Sequence, residues 1–285
     1  MSYIVPIGPY HPSLEEPVHA RLITDGELIS DAEVFIGYNH RGIEKLCMER
    51  NFIQTLVLVE RVCGICSHSH AMTYAMALEG ISGIKVPKKG QYMRVITAEL
   101  ERLHSHYLWL GIALHIIGHD SLFMHSWDDR EAIMDILEDL TGNRVNYGMV
   151  TYGGARRDIS VEQKDRTLKM LDKIEDSQKR LTEFLLNDKT VALRTQGVGV
   201  LTTEDAIRIG AIGPHARASN VPIDVRIDAP YSCYDEFEFN KAVFNTCDDI
   251  ILLPLRRSHG ILSQQRLRCR YPNCRRYLLA LFHHQ

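Results

Sequence analysis

Between Arg94 and Gly118 apolar side chains return at helical spacing, with Val95, Leu100, Leu103, Tyr107, Leu110 and Leu114 on one side. This run constrains the fold more than any other, because an amphipathic helix of about seven turns must bury its stripe against several neighbours. Asp128–Leu140 reads as a second helix, stopped by Gly142-Asn143. A third runs from Ser160 to about Leu186. Ser160 and Gln163 form a capping box there, and Leu168, Leu171, Ile174, Leu181 and Leu185 supply the stripe. Its acid-first i,i+4 pairs, Glu162/Arg166, Asp165/Lys169, Glu175/Lys179 and Asp176/Arg180, mark a solvated face with no chemistry assigned to it. A shorter helix follows Thr202 and stops near Gly210. The N-terminal region instead carries turn signals and the β-prone runs HARLIT and DAEVFIGY. The expected class is α+β, a small N-terminal antiparallel sheet packed on a mainly helical bundle.

The 285 residues can bury a substantial core as one large domain or two smaller ones. A formal charge of -3 gives no broad basic surface, so nucleic acid is not an expected partner. The start, MSYIVPIGPYHP, is broken by prolines and glycine before an export-type apolar region forms. The longest apolar stretch, around Leu108–Gly118, is too short to span a bilayer and contains His115. A cytoplasmic chain is expected, with any membrane association made through partners.

Seven cysteines are present: Cys47, Cys63, Cys66, Cys233, Cys247, Cys269 and Cys274. Only Cys63 and Cys66 form a C-x-x-C pair, within Arg61-Val62-Cys63-Gly64-Ile65-Cys66-Ser67-His68-Ser69-His70. A tight turn can aim two such sulfurs at one soft or borderline metal. Taken alone, the pair is open between zinc, with His68 or His70 as further ligands, a redox dithiol, and inert cysteines. His115 and His119 have i,i+4 spacing that could bind metal, but no motif accompanies them.

The context of the pair narrows these alternatives. Upstream lie Gly8-Pro9-Tyr10-His11-Pro12 and Gly37-Tyr38-Asn39-His40-Arg41-Gly42-Ile43-Glu44-Lys45; downstream come Gly153-Gly154-Ala155-Arg156-Arg157-Asp158-Ile159 and Arg194-Thr195-Gln196-Gly197-Val198-Gly199. Gly213-Pro214-His215-Ala216-Arg217-Ala218-Ser219 follows, leading to Asp224-Val225-Arg226 and Pro230-Tyr231. In this order the blocks resemble the large subunit of energy-converting, membrane-bound nickel–iron hydrogenases and their complex I relatives, over roughly residues 5 to 249. In the complex I subunit the cysteines are absent and a tyrosine and a histidine hold the quinone head group. The corresponding positions here are Gly64 and Glu15, so the resemblance favours the hydrogenase branch.

The resemblance implies a nickel–iron centre with cyanide and carbon monoxide on the iron. Cys63 would be a terminal nickel ligand and Cys66 would bridge the metals. Glu44 would pass the proton from dihydrogen cleavage, a role that partial burial of its carboxyl would favour. His70 would bond near the bridging sulfur and tune it. His68 has no implied role beyond structure. Ser105 stands between His104 and His106 where other hydrogenases often carry an acid, so no carboxylate is expected there. Arg156, Arg157, Arg217 and Arg226 are expected to hold backbone or subunit geometry. No iron–sulfur cluster is expected in this chain; an iron–sulfur small subunit, membrane ion-translocating subunits and a ferredoxin-like carrier are the implied partners, with the assembly peripheral on the inner face of the cell membrane. The alternatives are a metal-free scaffold or quinone-site-like subunit of a complex I-type assembly, and a zinc-binding module.

The last segment departs from the pattern. From Ile250 to Gln285 there are seven arginines and no lysine, aspartate or glutamate. The family's late D-P-C-x-x-C is not found; the only late pair is Cys269-Arg270-Tyr271-Pro272-Asn273-Cys274. Residues 1–249 are therefore read as the hydrogenase-like domain, incomplete at its C-terminus, and 250–285 as an atypical tail. Two thiolates do not by themselves hold a bimetallic centre, so the sequence as written is expected to be inactive or to need its missing part.

Overall fold

The computed structural model describes residues 2–12, 14 and 16–244, and the chain divides into two units, residues 1–55 and 56–285. The tail, Glu15, Cys247, Cys269 and Cys274 lie outside the described residues.

The first unit holds strands β1 (Ser2–Ile7), β2 (His19–Asp25) and β3 (Leu28–Phe35), an antiparallel sheet in the order β1-β2-β3. Val5 faces Leu22 and Leu22 faces Ala32, so small and branched apolar residues line one side. β1 forms despite Pro6, because an edge strand can carry a residue with no N–H to donate. β3 ends at Phe35, short of the expected Tyr38. Gly8 explains part of the G-P-Y-H-P block: its φ is +79°, and a Cβ there would lie 2.0 Å from the Val18 carbonyl oxygen. Helix α1 (Ile43–Glu49) follows, and α2 (Phe52–Val59) carries the chain onward.

The second unit is built on α3 (Ser67–Ser82), α4 (Lys88–Ile116), α5 (Asp120–Thr141) and α6 (Val161–Asn187). A two-stranded hairpin, β4 (Val150–Thr151) with β5 (Gly154–Ala155), joins α5 to α6. Short helices α7 (Lys189–Thr195), α8 (Thr203–Arg208), α9 (Gly213–Ala218) and α10 (Val225–Asp228) complete it. The core gathers Leu100, Leu103, Tyr107, Leu110 and Leu114 of α4, Ile133, Ile136, Leu137 and Leu140 of α5, and Leu171, Ile174, Leu181 and Leu185 of α6. The expected stripe of α4 is thus the one buried.

α5 starts at Asp120 rather than Asp128 because its first turns pack on α4. Ser126 Oγ donates to the Tyr107 carbonyl at 2.8 Å, and Gly111 leaves room for the Trp127 ring, which a Cβ would meet at 2.4 Å. The α6 capping box has both its bonds, Gln163 N to Ser160 Oγ at 3.2 Å and Ser160 N to Gln163 Oε1 at 3.0 Å. Arg166 reaches to Asp139 of α5 at 2.8 Å and also interacts electrostatically with Glu162, the expected partner. The α+β class, small antiparallel sheet and predominance of helix match the expectation. Among the described residues no helix is long and apolar enough to cross a membrane.

Candidate metal centre

Cys63-Gly64-Ile65-Cys66 forms a tight turn that ends at the N-cap of α3. Two backbone N–H groups, of Ile65 and Cys66, point at the Cys63 sulfur from 3.3 Å. Cys66 is the N-cap residue of α3, yet its side chain makes no capping bond. Both cysteines are free and partly exposed. Burial pushes the Cys66 thiol up to about 12, with the neighbouring Cys63 sulfur and the Glu101 charge adding to it. A thiol held up in this way keeps its proton until a cation replaces it, which is how thiolate sites couple metal binding to proton release.

Behind the turn lies a layer of buried polar side chains, contributed mainly by α4 and α3. Glu101, 2% exposed, accepts from His68 N at 2.6 Å, Ser69 N at 3.0 Å and Ser69 Oγ at 2.6 Å. Burial holds its carboxyl above the ordinary range against these bonds. His68 sits fully inside, its Nε2 2.8 Å from the Arg94 carbonyl oxygen, and burial drives its pKa down to about 4. Arg94 in turn grips Glu79 with two bonds, of 2.9 and 2.6 Å, and donates to Gly154 O and Thr151 O. Glu79 also accepts from Gly153 N at 2.8 Å. The Gly153-Gly154 block is therefore a strap tied down by a buried ion pair. His104 Nε2 meets the Tyr147 hydroxyl at 2.8 Å; burial, with the Arg130 charge, lowers its pKa to about 4. Arg156 binds the Gly148, Thr141 and Tyr147 carbonyls, the backbone role expected of it.

A second buried cluster sits further along the fold. Glu99 accepts from Tyr234 Oη at 2.5 Å, from Arg226 at 3.1 Å and from Arg102 at 3.3 Å. Arg226 is also held by Asp224, which lies 3.5 Å from Arg217. Burial and the Arg102, Arg226 and Arg217 charges lower the pKa of His106 to about 3. The Asp224-Val225-Arg226 block thus locks α10 onto α4, and Arg217 and Arg226 act structurally as expected.

Cys63 and Cys66 lie together in the C-x-x-C turn. Glu44 belongs to the first unit, in the first turn of α1, and is exposed. The partial burial expected to tune its carboxyl is not found. His70 is half-buried on α3; its backbone N–H bonds the Cys66 carbonyl at 3.3 Å, while no bond from its ring to the Cys66 sulfur occurs among the described residues. His68 is a core residue, as the structural reading had it. His115 pairs with Asp120 at 2.7 Å and His119 approaches Asp188 at 3.9 Å, so the two do not converge. Among the described residues no group of three or more His, Cys, Asp or Glu side chains is placed to hold a metal. Cys63 and Cys66 fit two positions of a thiolate-held soft metal, and any further donors lie outside the described residues. Sequence reasoning missed Glu101 and Arg94, whose partners sit far along the chain.

Residues 41–117 match the family described as nickel-dependent hydrogenase, and residues 117–253 match the respiratory-chain NADH dehydrogenase 49 Kd subunit. The chain is similar to membrane-bound hydrogenase subunit alpha of Pyrococcus furiosus, 44% identical over 81% of this chain and 54% of that protein. It is also similar to the carbon monoxide-induced hydrogenase of Rhodospirillum rubrum, 41% identical over 85% of this chain and 67% of that one. It spans only about half to two thirds of these relatives. Among solved structures, a chain of the membrane-bound sulfane sulfur reductase, an archaeal respiratory membrane complex, superposes with a TM-score of 0.82 at 28% identity, covering 92% of this chain and 72% of that one.

Proposed function

This chain belongs to the family that unites the large subunits of membrane-bound hydrogenases with the 49 kDa and D subunits of NADH–quinone oxidoreductases, and from that membership we propose that it is the metal-bearing large subunit of a membrane-associated nickel–iron hydrogenase. The reaction would be the reversible oxidation of dihydrogen to protons and electrons. The observation that carries the reading is the sulfur pair at the head of α3, free, partly exposed and not used in capping.

In this role Cys63 and Cys66 would hold the nickel–iron centre as thiolate ligands. The bound centre, with cyanide and carbon monoxide on its iron, supplies the redox chemistry. The chain supplies the rest. The Ile65 and Cys66 N–H groups hold the Cys63 sulfur in the turn, the buried layer on α4 fixes that turn, and His70 orients the pair from the first turn of α3. Glu44 takes up or delivers the proton, its exposure suiting exchange with solvent. The two remaining thiolates come from outside the described residues. Electrons pass through the clusters of an iron–sulfur small subunit to or from a ferredoxin-like carrier. Membrane ion-translocating subunits hold the assembly on the inner face of the cell membrane.

The test is hydrogen–deuterium exchange by the complex purified anaerobically from nickel-replete cells. Cys63→Ser and Cys66→Ser each abolish exchange, whereas Glu44→Gln keeps the metals and slows exchange by about 10²-fold or more. Full exchange in either cysteine variant overturns the ligand roles.

A second reading, a metal-free subunit of a complex I-type assembly, is favoured by the match of residues 117–253 to the 49 Kd family and by the missing third donor among the described residues. A complex that transfers electrons to quinone equally well in the wild type and in Cys66→Ser, with no nickel bound, decides for it.

A further inference from the structure

We propose that Glu101 is the positioning residue of the cysteine pair: reaching across from α4, it caps α3 in place of Cys66 and so leaves the Cys66 sulfur free for a metal. The inference rests on the assignment of Cys63 and Cys66 as metal ligands.

The first N–H groups of a helix have no partner within it, and the N-cap side chain ordinarily accepts from the second or third helical residue. In α3 the N-cap is Cys66, which makes no such bond. The second and third helical residues are His68 and Ser69, and both their N–H groups go to Glu101, one to each carboxylate oxygen, at 2.6 and 3.0 Å. The Ser69 hydroxyl adds a third bond to Oε2 at 2.6 Å, while the Ser67 hydroxyl is turned away to the Val145 carbonyl. Glu101 thus makes both bonds that the Cys66 side chain would otherwise be drawn into. Its negative charge also lies at the positive end of a sixteen-residue helix, where it complements the dipole.

A sulfur drawn onto its own helix terminus points along the axis toward the amides. Released from that task, it is oriented by the Cys63–Cys66 turn, whose backbone donors already aim at the partner sulfur. Because Glu101 stands on α4, 33 residues away, it also fixes the start of α3 against the core helix, and with it the direction of the Cα–Cβ bond of Cys66.

The experiment is an anaerobic titration of the full chain with nickel(II) alone, read by its thiolate-to-nickel charge-transfer absorption, with thermal unfolding followed on the same samples. The wild type is expected to show the band and Cys66→Ser to lose it. Glu101→Ala is expected to bind nickel(II) about tenfold or more weakly, the range found when a residue supporting a ligand is removed. Glu101→Gln, which keeps one acceptor oxygen for two N–H groups and loses the charge, is expected to recover only part of that loss and to stay severalfold weaker than the wild type. A purely structural carboxylate would lower the melting temperature and leave the affinity and band of the folded protein unchanged. Wild-type affinity and spectrum in both Glu101 variants overturn the inference while sparing the ligand assignment. Should Glu101→Ala fail to fold, wild-type affinity together with an unaltered band in Glu101→Gln overturns it alone. No band in the wild type overturns the ligand assignment and this inference with it.

Discussion

α4 and α6 are of nearly equal length, 29 and 27 residues, and both bury a leucine-rich stripe in the same core. They use charge in opposite ways. α6 keeps its charged pairs in water, as with Lys179 and Glu175 at 3.0 Å, and its capping box closes on itself. α4 buries Arg94, Glu99, Glu101 and His104, and each bonds another element. The contrast shows where the fold has spent its specificity. Exposed pairs contribute little, because solvent screens them and long side chains lose entropy in forming them. Buried pairs carry a desolvation cost and are held by geometry, so they set relative positions more than they add stability. Of the buried charges of α4, Arg94 and Glu101 hold the strap and the start of α3 behind the cysteine turn and Glu99 holds α10; the Lys179–Glu175 pair of α6 holds no other element.

The largest break in this comparison comes from Arg94→Ala, which strands Glu79 and releases the Thr151–Gly154 strap. It is expected to cost about 3–5 kcal/mol in denaturant unfolding; a loss below about 1 kcal/mol would show that the pair is not a keystone. Ile174→Ala, in the part of the core that α6 supplies, should cost about 2–4 kcal/mol through the cavity it leaves, without altering nickel(II) binding. A shared effect on binding would show that the two helices are not separable in function.

Acid should weaken the protein through α4. His104 and His106 have folded pKa values lowered from 6.5 to about 4 and about 3 by burial, helped by Arg130 for the first and by Arg102, Arg226 and Arg217 for the second. Each stays neutral in the fold while the unfolded chain takes up a proton as pH falls through 6.5. The stability they carry is therefore complete above that pH and lost as pH drops toward 4 and 3. Melting temperature should fall across this window, and His104→Asn should flatten part of the slope; an unchanged slope counts against the burial argument. α6 contains no histidine and adds nothing to this effect. The smallest effect is expected from Lys179→Ala, which should leave the melting temperature where it is.

What the sequence disclosed follows the same divide. The α6 stripe, its cap at Ser160 and the stop at Gly142 are local patterns, written within a few residues of one another, and they could be read directly. So could the α4 stripe and the C-x-x-C turn. Glu101 carried no such signal, since its partners lie 32 and 33 residues upstream, and Glu99 meets Arg226 across 127 residues. α3 itself escaped notice because its buried face is made of small and polar residues, Ser67, His68, Ala71 and Ala75, rather than a leucine stripe. The exposure of Glu44 was not legible either, because exposure depends on what covers a residue and not on its neighbours in sequence.

The central claim is that Cys63 and Cys66 hold a nickel–iron centre. Metal analysis of the complex, purified anaerobically from nickel-replete cells, tests it most directly. Nickel should be present in stoichiometric amount with iron beyond that of the small-subunit clusters, and nickel should disappear in Cys63→Ser. A wild-type complex that is fully assembled yet free of nickel would contradict the account.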